Sequence, residues 1–276
     1  MRRPPPLRAN VRGEGPAVVL LHGQPGSRAD WSAVAGDLAR DHRVVVPDRL
    51  GYGRTGGRAG GFAANANEVV KLMDRLDISS AILTGHSWGG GVALALAGTF
   101  PARCAGLVLV ATVSPLEAPT RVDRLLARTV IGTALAATSL GTTGRLLTWG
   151  PGAKLAGWKA STWGVGSARV EELVRSWRSP GTWRSFAREQ QALVYELPGM
   201  ATTLGLVHAP VVVLAGTADH VVGARAGRNL AKALACATFE AVPGAGHLLP
   251  LTHPGSVASA VRRLGPQAPR TGDVPH

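Results

Sequence analysis

Apolar residues along this chain follow two alternating patterns. Short continuous runs at residues 17–21, 43–47, 81–84, 106–110, 211–215 and 237–242 have strand length and are rich in Val, Leu and Ile. Such runs, apolar at successive rather than alternate positions, predict parallel strands covered on both faces. Between them lie segments with helical spacing. Val69, Leu72, Met73 and Leu76 fall at i, i+3, i+4 and i+7 and predict a helix over residues 62–76. Further helices are predicted over 30–40, with Asp30 as cap before Trp31, and over 226–235 and 256–264. A short strand at 7–11 is the one candidate before residue 17. Strand–helix alternation of this kind predicts a mostly parallel sheet with right-handed crossovers.

From residue 114 to 208 the strand runs disappear. Val122, Leu125, Leu126 and Thr129 mark one helix, Val170, Leu173, Val174 and Trp177 a second, and Trp183, Phe186, Leu193 and Val194 a third. Five of the seven tryptophans, Trp149, Trp158, Trp163, Trp177 and Trp183, lie in this stretch. The expected organisation is an α/β core at 1–113 and 209–265, a helical insertion at 114–208, and a disordered Pro/Gly-rich tail at 266–276.

Composition narrows this picture. With 276 residues, 45% of them hydrophobic, the chain can build one large α/β domain with an insertion. No apolar run reaches the length of a membrane span, residues 129–144 being the nearest case, and no apolar stretch follows the basic start at Arg2 and Arg3. A cytoplasmic protein is expected. The net charge of +13 comes from scattered arginines, without a basic run or basic–aromatic interleaving, so nucleic acid is not an expected partner. Cys104 and Cys236 sit among apolar residues and are expected as two buried, reduced thiols. No Cys/His spacing suits a metal, and no cofactor is expected; the expected partner is a small-molecule substrate, with the protein a monomer or weakly associating.

The chemistry concentrates at Gly85-His86-Ser87-Trp88-Gly89-Gly90, a G-x-S-x-G sequence directly after the 81–84 strand and before a small-residue run. A strand turning sharply into a helix there lifts the Ser87 hydroxyl clear of the sheet. A serine nucleophile needs a base and the base an orienting acid. His247, in the Gly-rich loop after the 237–242 strand, is the candidate base, and Asp219, just after the 211–215 strand, the candidate acid. Glu117 is the alternative acid, and His86, His220 and His253 are read as packing, solvated and structural histidines. The oxyanion donors are expected to be the backbone N–H groups of Trp88 and Gln24, the latter in the loop Gly23-Gln24-Pro25-Gly26 after the first long strand.

These residues, with His22-Gly23-Gln24-Pro25-Gly26, Pro47-Asp48-Arg49-Leu50-Gly51-Tyr52-Gly53 and Gly246-His247, make the chain resemble the α/β-hydrolase superfamily in its cap-bearing branch over roughly residues 15–265. The resemblance implies an α/β-hydrolase fold with a helical cap, Ser87 as nucleophile, Asp219 as acid and His247 as base, with Asp48 and Arg49 structural. The flanking motifs are similar to those of haloalkane dehalogenases and epoxide hydrolases, relatives that carry an aspartate nucleophile. Serine attack on a halide or epoxide would leave an ether that water does not readily cleave, so acyl transfer is the implied chemistry. Little sequence precedes the 17–21 strand, so one or two of the family's edge strands are expected to be missing. His22, Trp163 and Trp183 are the candidate pocket residues.

The expected function is hydrolysis of a carboxylic ester of an apolar substrate. The alternatives are a C–C bond hydrolase, a cofactor-free perhydrolase, an aminopeptidase that would hold its substrate's amine with Glu171, Glu172, Glu189 or Glu196, and a hydrolase-fold ligand receptor with little turnover. The cap carries 11 Lys/Arg against 6 Asp/Glu, which weighs against the aminopeptidase.

Overall fold

Side chains on successive positions of the central strands enter two different cores. Val18, Leu20, Ile82, Val108, Val110, Val212 and Leu214 pack on one face of the sheet. Their neighbours Val19, Leu21, Leu83, Leu107, Leu109, Val211 and Val213 pack on the other. A strand whose side chains alternate between two buried faces can carry no polar register, which accounts for the continuous apolar runs. The computed structural model behind this description covers residues 4–147, 149, 151–152, 154, 171, 174–177 and 179–265.

The sheet has seven strands in the order β1-β3-β2-β4-β5-β6-β7. These are β1 (Ala9–Arg12), β2 (Ala17–Leu21), β3 (Arg43–Pro47), β4 (Ala81–His86), β5 (Cys104–Val110), β6 (Val211–Gly216) and β7 (Ala237–Val242). Only β1 is antiparallel, paired with β3 from Ala9 opposite Pro47 to Arg12 opposite Val44. It has four residues, most of them exposed, and is the single strand before β2 among the described residues. The α/β-hydrolase arrangement expected from the sequence is the one observed, with each central strand running into a loop at the same edge.

One core lies under α2 (Phe62–Arg75), α3 (Trp88–Thr99) and α7 (Ala224–Ala233); the other lies under α1 (Ser32–Leu38), the short α8 (Leu249–Thr252) and α9 (Pro254–Leu264). Helix α3 is buried from Trp88 to Gly98 and has no polar face. It is enclosed by β4, α2 and the 3-10 segment Leu197–Leu206, so a charge on any side would be desolvated. Between β5 and β6 the chain forms α4 (Arg121–Leu126), α5 (Thr129–Leu146), α6 (Pro180–Tyr195) and that 3-10 segment.

Two expectations are corrected, one for a helix of the insertion and one for Cys236, while that for residues 129–144 holds. The periodicity that joined Val122 to Thr129 in one helix is interrupted at Arg128, whose extended backbone separates α4 from α5. The uncharged run at 129–144 is part of α5, and no helix among the described residues is long and apolar enough to cross a membrane. Cys104 is buried, and burial pushes its thiol up to about 12, but Cys236 is exposed: it precedes the edge strand β7, which is incompletely covered. The tail at 266–276, Trp163 and Glu172 lie outside the described residues.

Candidate active site

At the end of β4 the backbone reverses into α3 through Ser87, which holds φ 52° and ψ −119°. A non-glycine residue in that region costs on the order of 1–3 kcal/mol and persists only where its surroundings hold it. Here the Ser87 N–H donates to Val110 O (2.9 Å), while its carbonyl accepts from Gly90 N (3.0 Å) and Thr112 Oγ1 (3.1 Å). The flanking glycines are required by close approach. A Cβ on Gly85 would sit 2.3 Å from Gly89 O, and one on Gly89 would sit 2.3 Å from Leu21 O.

Ser87, His247 and Asp219, which reach this point from three loops, lie in a hydrogen-bonded line. Ser87 Oγ is 3.1 Å from His247 Nε2, and His247 Nδ1 is 2.9 Å from Asp219 Oδ2. The second Asp219 oxygen accepts the N–H groups of Val221 (2.8 Å) and Val222 (3.0 Å). Burial alone would raise the Asp219 pKa; the hydrogen bond and charge of His247 and the two backbone donors outweigh it and hold the carboxyl below its usual value. An ionised Asp219 keeps the Nδ1 proton of His247 in place and leaves Nε2 facing the serine hydroxyl as acceptor. With Nδ1 engaged by Asp219, the alternative acid Glu117 has no place in this line.

His86, beside Ser87, directs Nε2 to the carbonyl of His247 (2.8 Å), so it braces the loop that carries that ring. Burial, then the nearby charge of His247, lowers its pKa to about 3. An unfolded histidine titrates near 6.5, so between these values the unfolded chain binds the extra proton and stability falls as pH drops, by about 1.4 kcal/mol per pH unit. Urea unfolding at pH 7 and pH 5 is therefore expected to show a loss of about 2 kcal/mol, with a smaller loss in His86→Asn. Equal pH sensitivity of the two proteins would refute the assignment to His86. His220 is exposed, and His253 precedes α9 with its ring on Thr252 Oγ1 (2.9 Å).

Gly23 borders Ser87, since a Cβ built there would lie 3.1 Å from Ser87 Cβ. This brings the 23–26 loop, with its cis Gln24–Pro25 bond, alongside the start of α3. Trp88 opens α3 and Ser87 makes no side-chain cap to it, so the serine hydroxyl does not engage the first-turn N–H groups. His22 is fully buried under the loop. Its Nε2 accepts the Arg49 N–H (3.0 Å), which places its proton on Nδ1 for donation to Gly23 O (2.8 Å); it serves as a prop for the loop.

The sequence did not reveal the network beneath this loop. Arg49, fully buried, pairs with Glu189 of α6, also fully buried, and the Tyr52 hydroxyl donates to Glu189 Oε2 (2.8 Å). Burial pushes the Glu189 carboxyl up, and the charge and hydrogen bonds of Arg49 and the Tyr52 hydroxyl pull against it. Glu189 is thus engaged inside the protein, and Glu196 accepts the Phe62 N–H (2.9 Å) at the start of α2, so these two acids are not arranged to hold a substrate amine. The isolated arginine in Asp48-Arg49-Leu50-Gly51 was the available signal, because a buried guanidinium requires a counterion.

Trp183 lines a cavity whose other walls include none of Ser87, His247 and Asp219. The cavity, of about 390 Å³, is shared with Ala137, Thr138, Gly141, Thr142 and Arg145, and the Trp183 indole donates to Trp177 O (2.5 Å). Among the described residues no group of three or more His, Cys, Asp or Glu is arranged to hold a metal ion.

Comparison with known proteins agrees with this architecture. The uncharacterized protein Rv2715 of Mycobacterium tuberculosis is 29% identical over 249 residues, covering 86% of this chain and 71% of that protein. The 2-hydroxymuconate semialdehyde hydrolase of Pseudomonas sp. is 38% identical over 112 residues, 38% of this chain and 40% of that one. Among solved structures, a thermophilic esterase from Thermogutta terrifontis superposes with a TM-score of 0.70 at 25% identity, covering 93% of this chain and 92% of the esterase. The family model for the alpha/beta hydrolase fold matches residues 16–254 and, with the sheet order and the serine turn between β4 and α3, the chain belongs to that family.

Proposed function

We propose that the protein is a serine hydrolase of carboxylic esters that works through an acyl-enzyme on Ser87. The observation that carries this reading is the hydrogen-bonded line from Ser87 Oγ through His247 to Asp219, with bonds of 3.1 Å and 2.9 Å. In this reading His247 Nε2 takes the hydroxyl proton as Ser87 Oγ bonds to the ester carbon. The carbonyl oxygen becomes an oxyanion held by the N–H groups of Gln24 and Trp88. Collapse expels the alcohol, which receives the proton from His247. Water, deprotonated by the same nitrogen, then attacks the acyl carbon and releases the acid and Ser87. The cap between β5 and β6 would roof the substrate, and its residues would set the acyl preference. Both polar atoms of the Gln24 side chain are buried without a partner, at a cost of about 1–3 kcal/mol that a polar group on the substrate would relieve.

A C–C bond hydrolase is the second reading, supported by the similarity to 2-hydroxymuconate semialdehyde hydrolase. The two readings share the serine and differ in the leaving group.

A fluorophosphonate probe tests both: it should label the wild type and not Ser87→Ala, and a folded wild type that resists labelling would sink the hydrolase reading. Rates on p-nitrophenyl esters of increasing acyl length, set against a vinylogous 1,5-diketone acid, then separate the two. Turnover of the diketone with no ester cleavage would select the second.

A further inference from the structure

We infer that Glu189, on α6 of the insertion, is a positioning residue for the oxyanion hole and acts through Arg49. The inference rests on the serine-hydrolase reading above and adds a role for a residue more than a hundred positions from the nucleophile.

The geometry starts at one peptide group. The bond between Gly23 and Gln24 is trans, since the cis bond in this loop is the next one, Gln24–Pro25. In a planar trans peptide the C=O and the N–H point in opposite directions. Whatever holds the Gly23 carbonyl therefore aims the Gln24 N–H. Two donors hold it: Arg49 Nη2 at 2.9 Å and His22 Nδ1 at 2.8 Å. Arg49 also fixes His22, through its own N–H to His22 Nε2 (3.0 Å) and through Nε to the His22 carbonyl (2.7 Å). One arginine thus sets the orientation of the peptide whose other face carries the proposed oxyanion donor.

That arginine is held in turn by the insertion. Its guanidinium lies 4.4 Å from the centre of the Trp88 ring and 5.1 Å from that of Tyr52. No part of its side chain reaches solvent, and Glu189 supplies a carboxylate that is equally buried. Arg49 Nη1 pairs with Glu189 Oε1, and Nη2, the nitrogen that holds Gly23, lies 3.4 Å from Oε2. Glu189 also contacts the residue that carries the second proposed donor, because its backbone carbonyl accepts the indole N–H of Trp88 (3.3 Å). A single residue of the insertion thus braces the Gly23–Gln24 peptide through Arg49 and touches the Trp88 side chain, so the docking of α6 on the core and the alignment of the Gln24 donor are coupled. A buried arginine deprived of its counterion must find other acceptors, and those it already holds are the carbonyls of the oxyanion loop.

A role confined to pinning α6 to the core would change stability alone. The test is Glu189→Gln, which keeps the shape and removes the charge, read by three measurements on the folded protein. Loss of alignment is expected to lower kcat on p-nitrophenyl acetate by about 10–100-fold, with KM changed by less than about 3-fold. Binding of a trifluoromethyl ketone, which forms a tetrahedral oxyanion on the serine, should weaken by the same factor as kcat, and fluorophosphonate labelling should slow in parallel. Wild-type kcat in folded Glu189→Gln would overturn the inference, as would a fall in kcat with unchanged ketone affinity. If Glu189→Gln does not fold, Tyr52→Phe removes one hydrogen bond to the carboxylate and leaves the ion pair; a smaller parallel loss of kcat and ketone affinity is then expected, and no loss in either overturns the inference. Failure of the underlying reading is separately visible, since it would appear as a wild type that the fluorophosphonate does not label.

Discussion

Ser87→Ala is expected to lower kcat on p-nitrophenyl acetate by about 10⁵–10⁶-fold while leaving the fold intact. The size of the loss follows from the chemistry: without Oγ no acyl-enzyme forms, and what remains is the rate supplied by binding and by the oxyanion donors acting on a water molecule. The fold should be unaffected because Ser87 is held by its backbone, through Val110 O, Gly90 N and Thr112 Oγ1, and alanine keeps all three contacts. Alanine also tolerates the positive φ about as poorly as serine, so the backbone cost is shared by both proteins. Purified Ser87→Ala with wild-type circular dichroism and more than about 1% of wild-type kcat would show that the nucleophile lies elsewhere.

The second large effect is expected at Asp219→Asn, a loss of about 10⁴-fold in kcat with little change in KM. Asparagine keeps the volume, and its amide oxygen can still accept from Val221 and Val222. The group then left opposite His247 Nδ1 is the amide NH₂, a donor where the wild type presents a carboxylate oxygen at 2.9 Å. The imidazole must respond by moving its proton to Nε2, so that the nitrogen facing Ser87 is a donor and cannot accept the hydroxyl proton. Loss of the carboxylate also removes the charge that stabilises the imidazolium formed during attack. A modest loss, below about 30-fold, would mean that orientation by Asp219 is not what activates His247. A parallel measurement on Glu117→Gln should show near wild-type turnover and would locate the acid if it did not.

Different parts of the molecule were legible in the sequence to different depths. The strands of the sheet interior could be read because burial on both faces removes polar residues from them, and β2, β4, β5 and β6 follow the predicted runs within a few residues. Strand β1 starts two residues later than the pattern suggested, as expected of an exposed four-residue edge strand in which few side chains are constrained by packing. In the insertion the repeat of Val122, Leu125, Leu126 and Thr129 ran across the break at Arg128, because a local period does not register where the backbone turns. Cys236 was misread for a related reason: its apolar neighbours belong to the sheet margin, where they are only partly covered.

By itself, the sequence determined the class of fold and the short list of chemical groups. Both are encoded locally: continuous apolar runs report two-sided burial, and G-x-S-x-G reports a turn in which Gly85 and Gly89 leave room for neighbouring backbone. Only the tertiary structure decided how those groups are supported. Arg49 and Glu189 are separated by 140 positions and His86 and the His247 carbonyl by 161, and neither pair leaves a periodic or motif-like trace. The physical reason is that a buried charge or hydrogen-bonding group must be satisfied by whatever the fold brings beside it. A sequence reveals that such a group exists, but its partner is chosen by the packing of α6 against the core.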